Sequence, residues 1–374
     1  MNRHVCYMGN ACSIHTIRWV NNFALRGWKV DLITWHLPNG MHNIDPKVSI
    51  HRIFCPPHYL ARYGALIEIA LLIRKIRPEI IHGHYMGHFG MLAGLYNRLT
   101  GFQPIVMSPW GTDLLHANGG TFCLVKYALK RADFIVLYGD TLRDRVTIDF
   151  GVLPEKVHIL YTGLDIAKFS PENRNDNLKK ELGILDSPVV ISLRALQTIY
   201  DGDTLIKAIP SVLIEFPEAK FIITGKGNQE RNLRTLAHSL GVADNIKFVG
   251  FIPNDEIPKY LTSADIYVST SLEDGGFSLS SKEAMACGLP VIVTDYGENR
   301  KWVKDEVNGF VIPLRSPETL ASKIIHLFRN SDQRKHMRYA NRQMIKENFS
   351  LEQENMGMDG IERLYENLIE RYKK

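Results

Sequence analysis

The chain has only five cysteines in 374 residues (Cys6, Cys12, Cys55, Cys123 and Cys287), and no two of them form a CxxC pair. An odd, scattered set excludes a disulfide framework and a cysteine zinc site, and it fits the reduced thiols of a cytoplasmic protein. Long apolar runs are lacking too. The longest windows, such as 65–73 with Glu68 inside it, are too short to cross a bilayer. The opening MNRHVCYMGNACS has no apolar centre, so no secretory signal is expected. Lys and Arg form no dense block and the net charge is a mild +5, which argues against a nucleic-acid partner. No GxGxxG comes after the first expected strand, which removes the main signal of a dinucleotide-dependent dehydrogenase. No His/Asp/Glu spacing matches a metal site, and no internal repeat or low-complexity tract is evident. These absences point to a soluble protein, at most peripheral on the inner face of a membrane.

What is present is an α/β pattern written twice. Hydrophobic content of 45% and charged content of 23% suit a soluble chain long enough for two cores. In the first half, apolar strands over 5–8, 30–34, 80–82, 105–108, 134–137 and 157–160 alternate with helices over 14–26, 65–76, 89–100 and 124–131. A polar, Asn-rich connector at 171–177 comes next, and the pattern restarts with strands at 189–192, 220–224 and 246–249 and helices between them. Such alternation predicts parallel sheets wrapped by helices. The expected fold is two doubly wound, Rossmann-like domains facing a cleft, 1–168 and 169–349, followed by a charged amphipathic tail helix over 350–374.

The most telling stretch is 265–295, DIYVSTSLEDGGFSLSSKEAMACGLPVIVTD. It reads as strand, glycine-bearing loop, short helix and second strand. The turn at 274–276 can bring backbone N–H groups close to an anion, and Gly288 with Pro290 stops the helix. Glu283 lies seven residues after Gly276, about two helical turns, on the face below the loop. A phosphate-gripping loop with a carboxylate beneath it suits a nucleotide: diphosphate at the helix start, ribose hydroxyls on the acid.

Further motifs extend the pattern along the chain. They are the loop 10–16 (NACSIHT), His82-Gly-His84, Trp110-Gly-Thr-Asp113, and Tyr161-Thr-Gly-Leu-Asp165 with Phe169 and Pro171. Arg194, Gly225-Lys-Gly227, Gly250-Phe-Ile-Pro253, the segment EAMACGLP at 283–290, and Asn308-Gly-Phe310 complete them. Together, over nearly the full length, they resemble the retaining glycosyltransferases of family 4 (glycosyl transferases group 1), which have the GT-B fold.

The resemblance implies roles position by position. Glu283 matches the acid that holds the donor's ribose, and its partner acid in the family's Glu-x7-Glu falls on Gly275, so Asp274 or Glu273 is the nearest substitute. Arg194 matches the arginine on the donor diphosphate. The family's next lysine is absent from 196–202, which leaves Tyr200, Lys226 or Arg300 to assist it. Gly276, Phe277 and Ser278 open the helix toward the phosphates, and Phe251 with Ile252 match the edge against which the base stacks. In the first half, Ser13 and its neighbouring amides face donor or acceptor groups, and His84 and Asp113 are candidates for sugar hydroxyls. Trp110, standing where the family often has histidine, would pack on a sugar ring or the cleft floor. The tail helix over 350–374 resembles the family's, which implies that it crosses back to the first domain.

The implied reaction is hexosyl transfer with retention from a UDP- or GDP-sugar to a hydroxyl, without metal or other cofactor. The acceptor would be a saccharide or lipid-linked saccharide of polysaccharide or cell-envelope synthesis. The basic stretches 74–77 and 126–131 would give a peripheral membrane contact. A nucleotide-sugar epimerase of the same fold and a non-catalytic sugar-nucleotide-binding subunit are the alternatives. Oligomeric state is not legible.

Overall fold

The computed structural model describes residues 3–37, 43–54, 64–174, 177–274 and 276–373. Cys55, Gly275 and part of the 171–177 connector lie outside them. The chain divides into two compact units, Met1–Leu160 with Gly357–Lys374, and Tyr161–Met356.

The first unit is a parallel sheet of β1 (His4–Met8), β2 (Lys29–Thr34), β3 (Val48–Arg52), β4 (Ile80–His84), β5 (Ile105–Ser108), β6 (Phe134–Leu137) and β7 (Val157–Ile159), in the order β3-β2-β1-β4-β5-β6-β7. Most strands are short apolar runs because both sheet faces are covered. Along β1, Cys6 and Met8 enter one core, with helices Ala65–Ile76, Met91–Thr100 and Gly119–Arg131, while Val5 and Tyr7 enter the other. Helix Ile14–Leu25 lays Trp19, Val20 and Phe23 on that second face. The tail helix Leu351–Lys373 adds Met358, Ile361, Tyr365, Leu368 and Ile369, which recur at helical spacing and are all buried. Tyr365 is anchored through its hydroxyl to His82 Nδ1, and Arg26 pairs with Asp359 at 2.5 Å and Glu362 at 2.9 Å.

The second unit is a parallel sheet of β8 (Val189–Ser192), β9 (Lys220–Thr224), β10 (Ile246–Gly250), β11 (Ile266–Ser269), β12 (Val291–Thr294) and β13 (Gly309–Ile312), in the order β10-β9-β8-β11-β12-β13. Helices Gly202–Glu215 and Pro317–Arg329 cover one face; Leu279–Ala286 and the end of Ser331–Phe349 cover the other. In both sheets the chain builds outward one way and then the other. The order reverses between β1 and β4 in the first and between β8 and β11 in the second. Ligands of such sheets bind beyond the C-terminal strand ends at that reversal.

Candidate functional site

At the reversal point of the second sheet, the loops after β8, β9, β10 and β11 are tied to one another. Gly225, at φ +91°, donates its N–H to the Gly250 carbonyl at 2.7 Å, and the Leu196 N–H donates to the Lys226 carbonyl at 3.1 Å. A Cβ on Gly227 would come within 1.9 Å of the Leu196 carbonyl oxygen, so this close approach requires glycine. On the other side, Thr270 Oγ1 donates to the carbonyls of Tyr200 (3.0 Å) and Asp201 (2.8 Å), and the Leu272 N–H to that of Ile199 (2.8 Å).

Arg194 lies two residues past β8 and is held inside this frame. Its Nη2 donates to Asp274 Oδ1 at 2.5 Å and Ser271 Oγ at 3.3 Å, its Nη1 to Ser280 Oγ at 3.2 Å, and the Tyr200 ring lies 4.2 Å from its Cζ. Burial works against the charge. Asp274 outweighs it, helped by Tyr267 and Tyr200, and holds the guanidinium pKa above its ordinary value. Ser280 is the second residue of helix Leu279–Ala286 and also accepts from the Tyr267 hydroxyl at 2.8 Å. The Arg194 side chain is thus locked beside the start of that helix, where partial positive charge favours an anion.

Glu283 sits past the middle of the same helix, 3% exposed. Its carboxylate makes no hydrogen bond with any described residue. Burial pushes its pKa from 4.5 up to about 7, only partly offset by Lys168. A buried acid with no hydrogen-bond partner among the described residues is costly to a fold and suits a hydrogen-bonding ligand.

The remaining expected donor residues divide. Asp274 is present, bound to Arg194. Lys226 is exposed near Gly250 and pairs with no described acid. Phe251, after β10, presents its ring to solvent at 69% exposure, but Ile252 is 7% exposed and turned inward, so it offers a base little surface. The Tyr200 ring packs against the Arg194 guanidinium. The Phe277 side chain is buried in the core against Trp302 and Phe349, so it presents no ring to a ligand. Ser278 caps the helix, accepting from the Ser281 N–H at 3.2 Å and donating to Ser281 Oγ at 2.7 Å, so its hydroxyl is engaged within the protein. Gly276 is half-buried at the mouth of the loop. Arg300 is exposed and forks onto Asp295. Three residues escaped the sequence reading: Ser271, Ser280 and Lys168. Only Ser280 carried a signal, its place just inside the helix.

In the first unit the loops after β1 and β4 meet. Ser13 Oγ lies 2.7 Å from the Tyr85 hydroxyl. Tyr85 has φ 62° and ψ 101°, a conformation rare for a non-glycine residue that persists only where surroundings impose it. Asp113 supplies part of that constraint. Its Oδ2 accepts from the Met86 N–H at 2.8 Å, and its Oδ1 from those of Trp110 (2.9 Å) and Gly111 (3.0 Å). The Asp113 carboxylate therefore braces two loops through three backbone amides. His84 is not beyond its strand but the last residue of β4, with no exposed surface. Its Nδ1 lies 3.3 Å from Thr16 Oγ1, and burial, with His15 nearby, pushes its pKa down to about 3, so the ring is neutral. Trp110 stacks on His15 (4.1 Å) and on Tyr138 (3.9 Å), which leaves no free face for a sugar ring. The open feature here is a cavity of about 380 Å³ lined by Asn10, Trp35, His36, Tyr85, His88 and Phe89. A separate cavity of about 530 Å³ in the second unit, lined in part by Gln197, Asp201, Lys207 and Arg315, includes none of the expected site residues.

Two doubly wound parallel sheets of seven and six strands define an architecture of GT-B type. Residues 174–344 match the family described as glycosyl transferases group 1, and residues 4–138 the family glycosyl transferase 4-like; the chain belongs to the group 1 glycosyltransferases. It is 27% identical over 332 residues to an uncharacterized glycosyltransferase of Methanocaldococcus jannaschii, covering 83% of each chain. It is also 27% identical to a GDP-mannose-dependent alpha-(1-6)-phosphatidylinositol monomannoside mannosyltransferase of Mycobacterium tuberculosis, covering 80% of each. Among solved structures, a glycosyltransferase of Rickettsia africae superposes with a TM-score of 0.81 at 16% identity, over 99% of both chains. Anabaena HepE in complex with UDP superposes with a TM-score of 0.80 at 16% identity, over 96% of this chain and 99% of that one. These likenesses establish the fold.

Proposed function

We propose that the protein transfers a hexosyl unit, with retention, from a UDP- or GDP-sugar to a hydroxyl group. The observation that carries this is Arg194, bonded to Ser280 at the start of helix Leu279–Ala286, with the unpartnered Glu283 less than one helical turn further along. The diphosphate would rest on Arg194 and the helix start, and the ribose hydroxyls would donate to Glu283. As the sugar–phosphate bond breaks, negative charge grows on the leaving phosphate, where a fixed guanidinium and helix amides stabilise it without reorganising. The acceptor oxygen attacks the face from which the phosphate departs and passes its proton to a phosphate oxygen, so no protein nucleophile and no metal enters the scheme. One relative's name gives GDP-mannose as its donor, and one structural neighbour is in complex with UDP, so the nucleotide is left open. The test is turnover with a panel of labelled UDP- and GDP-hexoses, with the anomeric configuration of the product read by NMR. Retained transfer from at least one donor is expected. Release of a free epimerised sugar without acceptor would instead favour an epimerase of the same fold.

A saccharide carried on a membrane lipid is the acceptor class the first unit favours. Helices Ala65–Ile76, Met91–Thr100 and Gly119–Arg131 carry Arg74, Lys75, Arg98, Lys126, Lys130 and Arg131, and their one acid is Glu68. Ile67 (72%), Leu71 (65%) and Leu99 (71%) are exposed among those bases, a surface suited to an anionic bilayer. Flotation with anionic but not zwitterionic vesicles is expected, weakened by Arg74→Gln with Lys75→Gln; equal flotation with both vesicle types would remove any role for charge.

A further inference from the structure

Much of the guanidinium of Arg194 is already committed within the protein. Nη2 is on Asp274 and Ser271, Nη1 is on Ser280, the Tyr200 ring covers one face, and Nε is buried with no partner among the described residues. Both members of the Arg194–Asp274 pair are largely out of water, with side chains 11% and 18% exposed. Asp274 shares the guanidinium with Ser280, at the start of the helix. A carboxylate therefore already occupies one nitrogen of the guanidinium that would bind an anion.

We propose that Asp274 is a built-in counter-ion, which neutralises Arg194 until a donor arrives and then yields it to the donor's diphosphate. This deepens the sugar-nucleotide reading and rests on it. A buried arginine left alone would cost the fold heavily, so the site needs an anion before the donor arrives. A diphosphate and a carboxylate crowded onto one guanidinium repel each other, so the incoming phosphate displaces the acid or binds more weakly beside it. Either way, Asp274 holds the site in shape at the expense of donor affinity. Freed from Arg194, its carboxylate becomes available to a sugar hydroxyl.

Titration calorimetry with UDP and with GDP on the full chain tests this, comparing wild type, Asp274→Asn, Asp274→Ser and the remote surface change Glu256→Gln. Both Asp274 variants should bind the responding nucleotide on the order of tenfold more tightly, since one competing ion pair is gone. Glu256→Gln should leave affinity unchanged. Equal or weaker binding by both Asp274 variants overturns the exchange while leaving the nucleotide reading intact. Absence of binding by either nucleotide to any of the four proteins overturns both. The exchange is also readable without substitution: in a crystal of the wild-type chain with bound nucleotide, the Asp274 carboxylate should be off Arg194, and an unbroken pair with phosphate bound elsewhere contradicts it.

Discussion

Arg194→Ala should lower turnover by about 10²–10³-fold, the loss seen when one preorganised donor to a developing anion is removed. Its geometry makes the effect specific. Ser271 Oγ, Ser280 Oγ and the Tyr200 ring still hold the guanidinium once Asp274 has yielded it, so it meets the leaving phosphate without being recruited at the moment of reaction. Arg194→Lys should recover only part of the loss, because an ammonium keeps the charge but not the planar fork that spans Ser280 and the 271–274 loop. Steady-state kinetics with saturating acceptor checks this. The fall should lie mainly in kcat, with a rise in the donor KM from lost ground-state contact. Turnover of Arg194→Ala within about threefold of wild type would remove Arg194 from the chemistry.

Glu283 should make the nucleotide-free protein less stable as pH rises from about 4.5 to about 7. Between those values the unfolded chain has already released this proton and the folded chain still holds it, so raising pH favours unfolding. The gap between 4.5 and about 7 corresponds to roughly 3 kcal/mol in full, an order-of-magnitude figure for a group only 3% exposed. Glu283→Gln stays neutral and should lose that part of the slope, gaining stability over wild type at pH 8. Urea unfolding at a series of pH values measures it, and parallel curves for the two proteins would contradict a buried, unpartnered acid. Bound ribose should oppose the trend by stabilising the ionised acid, so nucleotide should protect wild type more at pH 8 than at pH 5.

Elements whose cause is local are legible in the chain. Most strands of both sheets announce themselves as β-branched runs because both faces are buried, and the helix over 279–286 is bracketed by Ser278 and Gly288. β3 escapes such a reading because Val-Ser-Ile-His-Arg alternates and lies at a sheet edge, where one continuous apolar run is not needed. The sequence sets Ile252 against a base, but the register of β10 shifts between Phe248 and Gly250, which changes the phase of the residues beyond it and leaves Phe251 outward. Phe277 reads as part of a ligand loop because Trp302 and Phe349, which bury it, are distant in sequence. The same separation hides the central pair: Arg194 and Asp274 stand 80 residues apart and meet only because β8 and β11 are neighbours. His84 and Asp113 are readable as chemistry-bearing residues, but their engagement with Thr16 and with three backbone amides is not.

The most direct test of the central claim is a crystal structure of the full chain with bound UDP or GDP. The diphosphate should contact Arg194 and the N-terminal turn of helix Leu279–Ala286, with the ribose hydroxyls on Glu283. A nucleotide seated away from both residues, for example in the cavity bordered by Asp201, Lys207 and Arg315, would contradict the assignment of this site.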